Sequence, residues 1–243
     1  MSIKERLQVG TAVALTLALA ACGGSGSGGN GNTIGVGSSF NLQAGIANMV
    51  THGLTASVSL TGSVVVNGAS TPVTGSGTFA LSAGVSGTFK GSAATSQVQT
   101  LSGTATAAGQ SLPVSQSVTD YYATSSSDFL GEVESTEYDV AQAPFQYPTS
   151  IEGGSSGTLG TVLRYTDSTM SVSLGNAQTT YSVTAPTTTG GPVGITITVK
   201  IYDTANALVE TDVRNYTMTS SNVISFVSES AQAQQGTLTA TAQ

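Results

Sequence analysis

The chain has 243 residues, of which 39% are apolar and only 8% charged, with a net charge of −7, one cysteine, one histidine and no tryptophan. So few cations cannot neutralise many phosphates, which excludes nucleic acid as a partner; one cysteine excludes an internal disulfide, and one histidine excludes a multi-histidine metal site. The length supports one substantial core, so a single domain is the default. The charge is far too low for a typical disordered segment, and the polar surface must come mainly from Ser, Thr, Asn and Gln.

Residues 1–21 open with Lys4 and Arg6 and continue with an apolar run from Val9 to Ala21. A basic start, a short apolar stretch and small residues at its end predict a secretory signal peptide. The run falls short of the ~20 residues that span a bilayer. Cys22 follows Leu19-Ala20-Ala21 directly, and this junction resembles a bacterial lipobox. The resemblance implies cleavage before Cys22, diacylation of its thiol and acylation of the new amino group. Gly23 rather than Asp after the cysteine implies the outer membrane. The lipid anchor is therefore Cys22, each buried methylene contributing ~0.8 kcal/mol. The remaining cations are Lys90, Arg164, Lys200 and Arg214 against twelve carboxylates, so acyl chains rather than attraction to anionic lipid must hold the protein to its membrane.

Residues 22–35 carry the acylated cysteine and the run GGSGSGGNGN, a flexible tether reaching about 15–20 Å. A β-rich domain is expected over 36–243. Phe40, Leu42, Ile46, Met49 and Val50 recur at helical spacing, with Ser38, Ser39 or Asn41 to cap the start and Gly53 to end it. This predicts a short helix near 41–52 that plugs one end of a sheet. From Leu54 the period drops to two: Leu54, Ala56, Val58, Leu60, Val64 and Val66 face one way and Ser57, Ser59, Thr61 and Ser63 the other, as in a half-buried antiparallel strand. Asn67-Gly68 supplies a tight hairpin turn.

The chain then repeats itself. Leu60-Thr-Gly62 through Gly68 to Pro72-Val73 is matched by Leu101-Ser-Gly103 through Gly109 to Pro113-Val114, at an offset of 41 residues throughout. Glycine and proline fix backbone geometry, so the same hairpin is expected twice within one meander. Further strands are predicted at 78–83, 96–107, 112–122, 159–166, 170–174, 179–184, 194–202, 207–218, 222–229 and 236–242. Gly175-Asn176-Ala177 and the stretch from Asp203 to Asn206 read as turns. Leu238-Thr-Ala240-Thr-Ala242 is expected to close the sheet. The fold class is all-β: an antiparallel meander forming a strongly curved sheet, barrel-like or sandwich, with one short N-terminal helix.

Residues 123–158, with Pro144, Pro148 and a Gly/Ser run, read as a long loop. Six of the fourteen aromatics lie here or just before it: Tyr121, Tyr122, Phe129, Tyr138, Phe145 and Tyr147. Asp128, Glu132, Glu134, Glu137 and Asp139 lie among them. The first expectation is a solvated acidic loop whose aromatics cover one end of the sheet. Tyr121, Tyr122, Phe129, Glu132, Glu134, Glu137, Tyr138 and Asp139 are the candidate ligand or partner residues. They would bind Ca²⁺ through oxygen ligands, stack on a sugar, or hold a cationic partner. The order of an EF-hand loop is missing.

No cofactor motif is present, and no phosphate-cradling loop. Gly153-Gly154-Ser155-Ser156-Gly157 matches G-x-S-x-G, yet it follows Ile151-Glu152 and precedes no helix pattern, so with His52 it makes a poor serine hydrolase. His52 is expected at the helix end, bonded to a terminal carbonyl. Two carboxylates on separate loops would suffice for glycoside hydrolysis.

The Ala21-Cys22-Gly23-Gly24 start, the tether, Val66-Asn67-Gly68 with Pro72-Val73, and Tyr147-Pro148 leading to Gly157-Thr158-Leu159 and Tyr165-Thr-Asp167-Ser168 resemble a group of bacterial lipoproteins typical of β-proteobacteria. That resemblance implies a location and no activity. The expectation is a non-enzymatic structural or interaction module of the cell envelope, anchored to the outer membrane and partnered by another envelope protein. The alternative is a carrier of a lipid or other hydrophobic ligand, with Phe40, Leu42, Ile46 and Met49 lining its pocket; a hydrolase comes last.

Overall fold

A computed structural model describes residues 39–66 and 68–243. The expected signal peptide, acylated Cys22 and tether lie outside the described residues. Helix α1 (Leu42–His52) starts where Asn41 accepts a hydrogen bond from the Ala44 N–H, and ends where the Gly53 N–H donates to the Met49 carbonyl at φ 69°. It buries Leu42, Ile46, Met49 and Val50.

Strands follow in chain order: β1 (Leu54–Val66), β2 (Ala69–Leu81), β3 (Val85–Phe89), β4 (Ser92–Ala107), β5 (Gln110–Tyr122), β6 (Phe129–Val133), β7 (Tyr138–Phe145), β8 (Ser156–Tyr165), β9 (Ser173–Thr184), β10 (Val193–Tyr202), β11 (Leu208–Met218), β12 (Ile224–Ala233) and β13 (Gly236–Ala242). Nearly all neighbours are successive in sequence; β1 meets β13, and β2 meets β4, closing a ring of twelve strands. Leu238 and Ala240 pair with Gly62 and Leu60, so the C-terminal strand closes the barrel as its alternation predicts. β3 stands outside the ring and pairs with the start of β4. There Phe89 stacks on Tyr121 and Tyr138, with centroids 4.7 and 5.4 Å apart, making a small second core on the outer wall.

The duplicated hairpin is present. Leu54 pairs with Leu81, and Val66 with Ala69; 41 residues on, Thr95 pairs with Tyr122 and Ala107 with Gln110. Gly62 and Gly103 both point into the barrel, where a Cβ would overlap a neighbouring strand's backbone: Thr237 O at one, Ser76 O at the other. These glycines let the sheet bend tightly at a corner.

The period of two sorts the side chains. On β1, β10 and β13 the aliphatic residues other than Val65 point inward and most outward positions carry Ser or Thr, so these strands turn a largely hydroxyl surface outward. α1 caps the end of the barrel where β11 finishes and β12 begins: Gly45 lies against Met218 and Ile224, the nearest Ile224 carbon 3.1 Å from where a Cβ would stand. Phe40 bridges to Ile151 on the same end. Gln97 ties the cap to the wall by donating to the Met49 and Ser82 carbonyls at 3.0 and 2.8 Å.

Three expectations are corrected. Residues 123–158 are not one long loop, because β6 and β7 run through them. Both strands were illegible because their inward positions carry acids, which erases the apolar alternation. Gly175-Asn176-Ala177 is not a turn but lies inside β9, Gly175 paired with β8 and Asn176 and Ala177 paired on both sides, and residues 170–174 form no strand of their own. Gly175 takes φ 118° next to a register shift in the β8–β9 ladder, a strand irregularity that glycine also serves. The stretch from Asp203 is a turn as predicted, with the Asp203 carboxylate accepting the Ala205 and Ala207 N–H groups.

Candidate functional site

The barrel is filled on one side and hollow on the other. Near β1, β2 and β13, Val58, Leu60, Phe79, Leu101 and Ala240 pack to near-zero exposure, and Phe79 stacks on Phe226 at 4.1 Å. The opposite side holds a cavity of about 200 Å³ lined by seven carboxylates and two arginines. The acids are Asp120, Glu132, Glu134, Glu137, Asp139, Asp212 and Glu229. Toward α1 the lining turns apolar and aromatic, with Ile46, Met49, Tyr122, Phe129 and Tyr147.

Register shows how the charges come together. Gln97 on β4 pairs with Asp120 on β5. Asp120 pairs with Glu132 on β6, Glu132 with Asp139 on β7, and Asp139 with Arg164 on β8. One row across four walls thus reads Asp, Glu, Asp, Arg. Like charges directly opposite each other destabilise a sheet pair, so this row opposes folding unless something compensates. Arg164 bonds Glu137 and lies 3.4 Å from Asp139. On the facing wall Arg214 donates to Glu229 at 2.8 Å and lies 3.2 Å from Asp212.

The arginines do not exhaust the acids. Asp139 Oδ1 and both oxygens of Asp212 are buried without a hydrogen bond. Burial, then the charge of Glu132, pushes the Asp120 carboxyl up to about 7, although Arg214 opposes it. Burial and Glu132 push Asp139 to about 9 against Arg164. Glu134 rises to about 8, through burial and then Glu132 and Glu137. Burial also raises Glu132 and Asp212. Arg214 is the reverse case: burial disfavours its charge, but Asp212 and Glu229 more than offset this and raise it further. The lumen therefore holds protons at neutral pH that a free carboxylate would have released.

Of the eight candidate residues, six line the cavity: Tyr122, Phe129, Glu132, Glu134, Glu137 and Asp139. The acids do not form a solvated loop. Tyr121 and Tyr138 belong to the outer core around Phe89 instead. Asp120, Arg164, Asp212, Arg214, Tyr216 and Glu229 were missed, yet β11 carried a signal. Met218, Tyr216, Arg214, Asp212 and Glu210 occupy its inward phase, where alternation calls for apolar residues. Of the four aliphatic and aromatic residues expected to line a pocket, Ile46 and Met49 do so, while Phe40 and Leu42 are core.

The residues of the hydrolase reading are held locally. His52 Nδ1 lies 3.0 Å from the Asn48 carbonyl one turn back on its helix. Ser155 Oγ accepts the Glu152 N–H at 2.9 Å in a turn. Among the described residues, no three His, Cys, Asp or Glu side chains are grouped to hold a metal ion.

Compared with protein-family models, curated proteins and solved structures, the chain matches none.

Proposed function

We propose that this chain is a non-enzymatic binding barrel, fastened to a bacterial outer membrane through Cys22, whose lumen takes up a small polar ligand. The observation that carries the reading is the charged half of the lumen. Buried carboxylates cost stability, and well-packed apolar residues would serve a purely structural core better. A barrel that keeps seven acids around a hollow is built to present them to something. The Cys22 junction supports the anchor. The hydroxyl-rich outer wall suits a body held in water beside the membrane, since a lipid-facing barrel presents an apolar band.

This ligand differs from the hydrophobic one expected of a curved sheet. A cavity of about 200 Å³ is below the ~300–1,000 Å³ usual for larger ligands, and its charged floor would strip an acyl chain of favourable contacts. The test is native mass spectrometry of the full chain extracted from its membrane in mild detergent. The expected result is a triacylated Cys22 and a small molecule released on unfolding. A reproducible protein partner with no bound small molecule would return the scaffold reading. A bare Cys22 thiol would remove the anchor.

A further inference from the structure

We infer that the Asp120–Glu132–Asp139 row binds a linear di- or polyamine, its ammonium groups set along the row and its methylenes against the aromatic side of the cavity. The inference rests on the lumen being the binding site and adds the chemical class of its ligand. Three observations lead to it.

The first is the spacing. Asp120, Glu132 and Asp139 are cross-strand partners on three consecutive walls. Adjacent strands lie about 4.8 Å apart, so the three residues' backbones span roughly 10 Å, and among the described residues no three acids are grouped around one point to hold a metal ion. A hard cation such as Ca²⁺ needs oxygens converging to about 2.3–2.6 Å around one point. A chain with ammonium groups spaced by methylenes matches a line of acids better than a point charge does. The second is charge. Seven carboxylates face two arginines in the cavity, and both arginines are already committed at its two sides. With the acids ionised, a monovalent amine leaves most of the excess; a di- or triamine removes much more. The third is the open valence. Asp139 is 3% exposed, and its Oδ1 has no hydrogen-bond donor. Asp212 on the facing wall is fully buried; its Oδ2 is ion-paired with Arg214 at 3.2 Å, and its Oδ1 has no hydrogen-bond donor. An ammonium group brings donors, which a buried acceptor requires.

The aromatic side fits the same ligand. Tyr122 and Phe129 meet edge to face with centroids 5.9 Å apart, and Tyr216 lines the same cavity. Such rings attract a cation over their faces and pack well against methylenes. Binding is coupled to proton release. The groups facing Asp120 are Gln97 on β4, Tyr122 on its own strand, Glu132 on β6, Tyr147 after β7, Arg214 and Tyr216 on β11 and Glu229 on β12. An ammonium group beside Asp120 and Glu132 favours their ionised forms, so the amine replaces protons already held there.

The test is a calorimetric and NMR titration of the full chain in detergent micelles with spermidine. The controls are CaCl₂ and a neutral diol of similar length, followed by a chemically mixed library of small molecules. The expected result is saturable binding of one spermidine, with shifts at cavity residues, protons released to the buffer, and affinity rising from pH 6 to pH 8. In E132Q and in D120N the affinity drops roughly tenfold or more, while removing like-charge repulsion keeps the barrel folded. If a neutral or anionic library member shifts the cavity residues and spermidine does not, the amine assignment is overturned and the binding barrel stands. If Ca²⁺ reproduces the spermidine shifts, a metal site replaces it. If nothing shifts the cavity, both readings fall.

Discussion

Hairpin β1–β2 and hairpin β4–β5 share pairing register and turn position, yet only the second also lines the charged side of the lumen. In the first, Phe79 and Leu81 meet Val58 and Leu60 in a dry, packed core. At the equivalent positions, 41 residues on, the second carries Asp120 and Tyr122 with Gln99 and Leu101. Backbone geometry is set by the shared elements: glycines at the corner and in the turn, and a proline on the outer face. The lumen chemistry is set by a few inward side chains that the geometry leaves free to differ. The apolar core runs through both copies, and the lumen acid is added in the second alone.

The largest expected effect breaks that division outright. Phe79→Asp gives the first hairpin the acid of the second, but without its arginines. The substitution removes the stack on Phe226 at 4.1 Å and buries an unpaired carboxyl among Leu60 and Leu101. A loss of about 5 kcal/mol or more is expected, enough to abolish the folded barrel. Circular dichroism and thermal denaturation check it; a variant that melts within a few degrees of the parent would show that the first copy is no dry core.

A second pair of variants tests the corner. Gly62→Val and Gly103→Val should each cost about 1–3 kcal/mol, because both side chains meet backbone rather than another side chain's flexible end. The comparison requires the two costs to agree within about 0.5 kcal/mol, read from urea midpoints at constant slope. A marked difference would mean that the two corners are not equivalent.

Much of this architecture was written in the sequence. The helix caps, the period-two strands, the repeat at a fixed offset and the closing strand are local signals, and each led to the element it implied. Illegible were β6 and β7, where Glu132 and Asp139 occupy inward positions and break the pattern that marks a strand. The same residues were visible as candidates for binding, but as part of a loop. Asp120 meets Glu132 through the β5–β6 pairing, which the unread β6 hid, whereas Asp212 and Glu229 meet the others only after the sheet closes, and nothing nearby in sequence announces it. Tyr121 and Tyr138 failed for the opposite reason. They looked like companions of the acids because they are their neighbours in sequence, and successive residues of a strand face opposite ways.

The charged copy should reveal itself by pH. Asp120 is raised to about 7, Glu134 to about 8 and Asp139 to about 9, whereas in the unfolded chain such groups titrate near 4. Between those limits the folded barrel holds more protons than the unfolded chain. Its stability is therefore full at low pH and falls as pH rises from about 4 to about 9. Asp120→Asn should flatten the part of that fall below about 7 and leave the rest. Melting temperatures of parent and variant across this range decide it, and an unchanged slope would mean that Asp120 does not hold its proton in the fold.

The smallest effect compares the two turns. Gly68 and Gly109 stand at equivalent positions with φ 81° and 74°, and nothing lies within 4 Å of a Cβ placed on either. Sterics against the rest of the molecule are thus absent, and only the backbone conformation opposes a side chain. Gly→Ala at either position should cost about 1 kcal/mol, a drop of roughly 2–4 °C in melting temperature for a domain of this size. Ala108, beside Gly109, already tolerates φ 50°, so the turn accepts one strained alanine where the surrounding ladder holds it. A second one in the same turn at Gly109 should therefore be survivable and additive with the Gly68 variant, since the two turns belong to separate hairpins. Non-additivity in the double variant would mean that the two hairpins, joined through the β2–β4 ladder and a shared core, respond to strain as one unit.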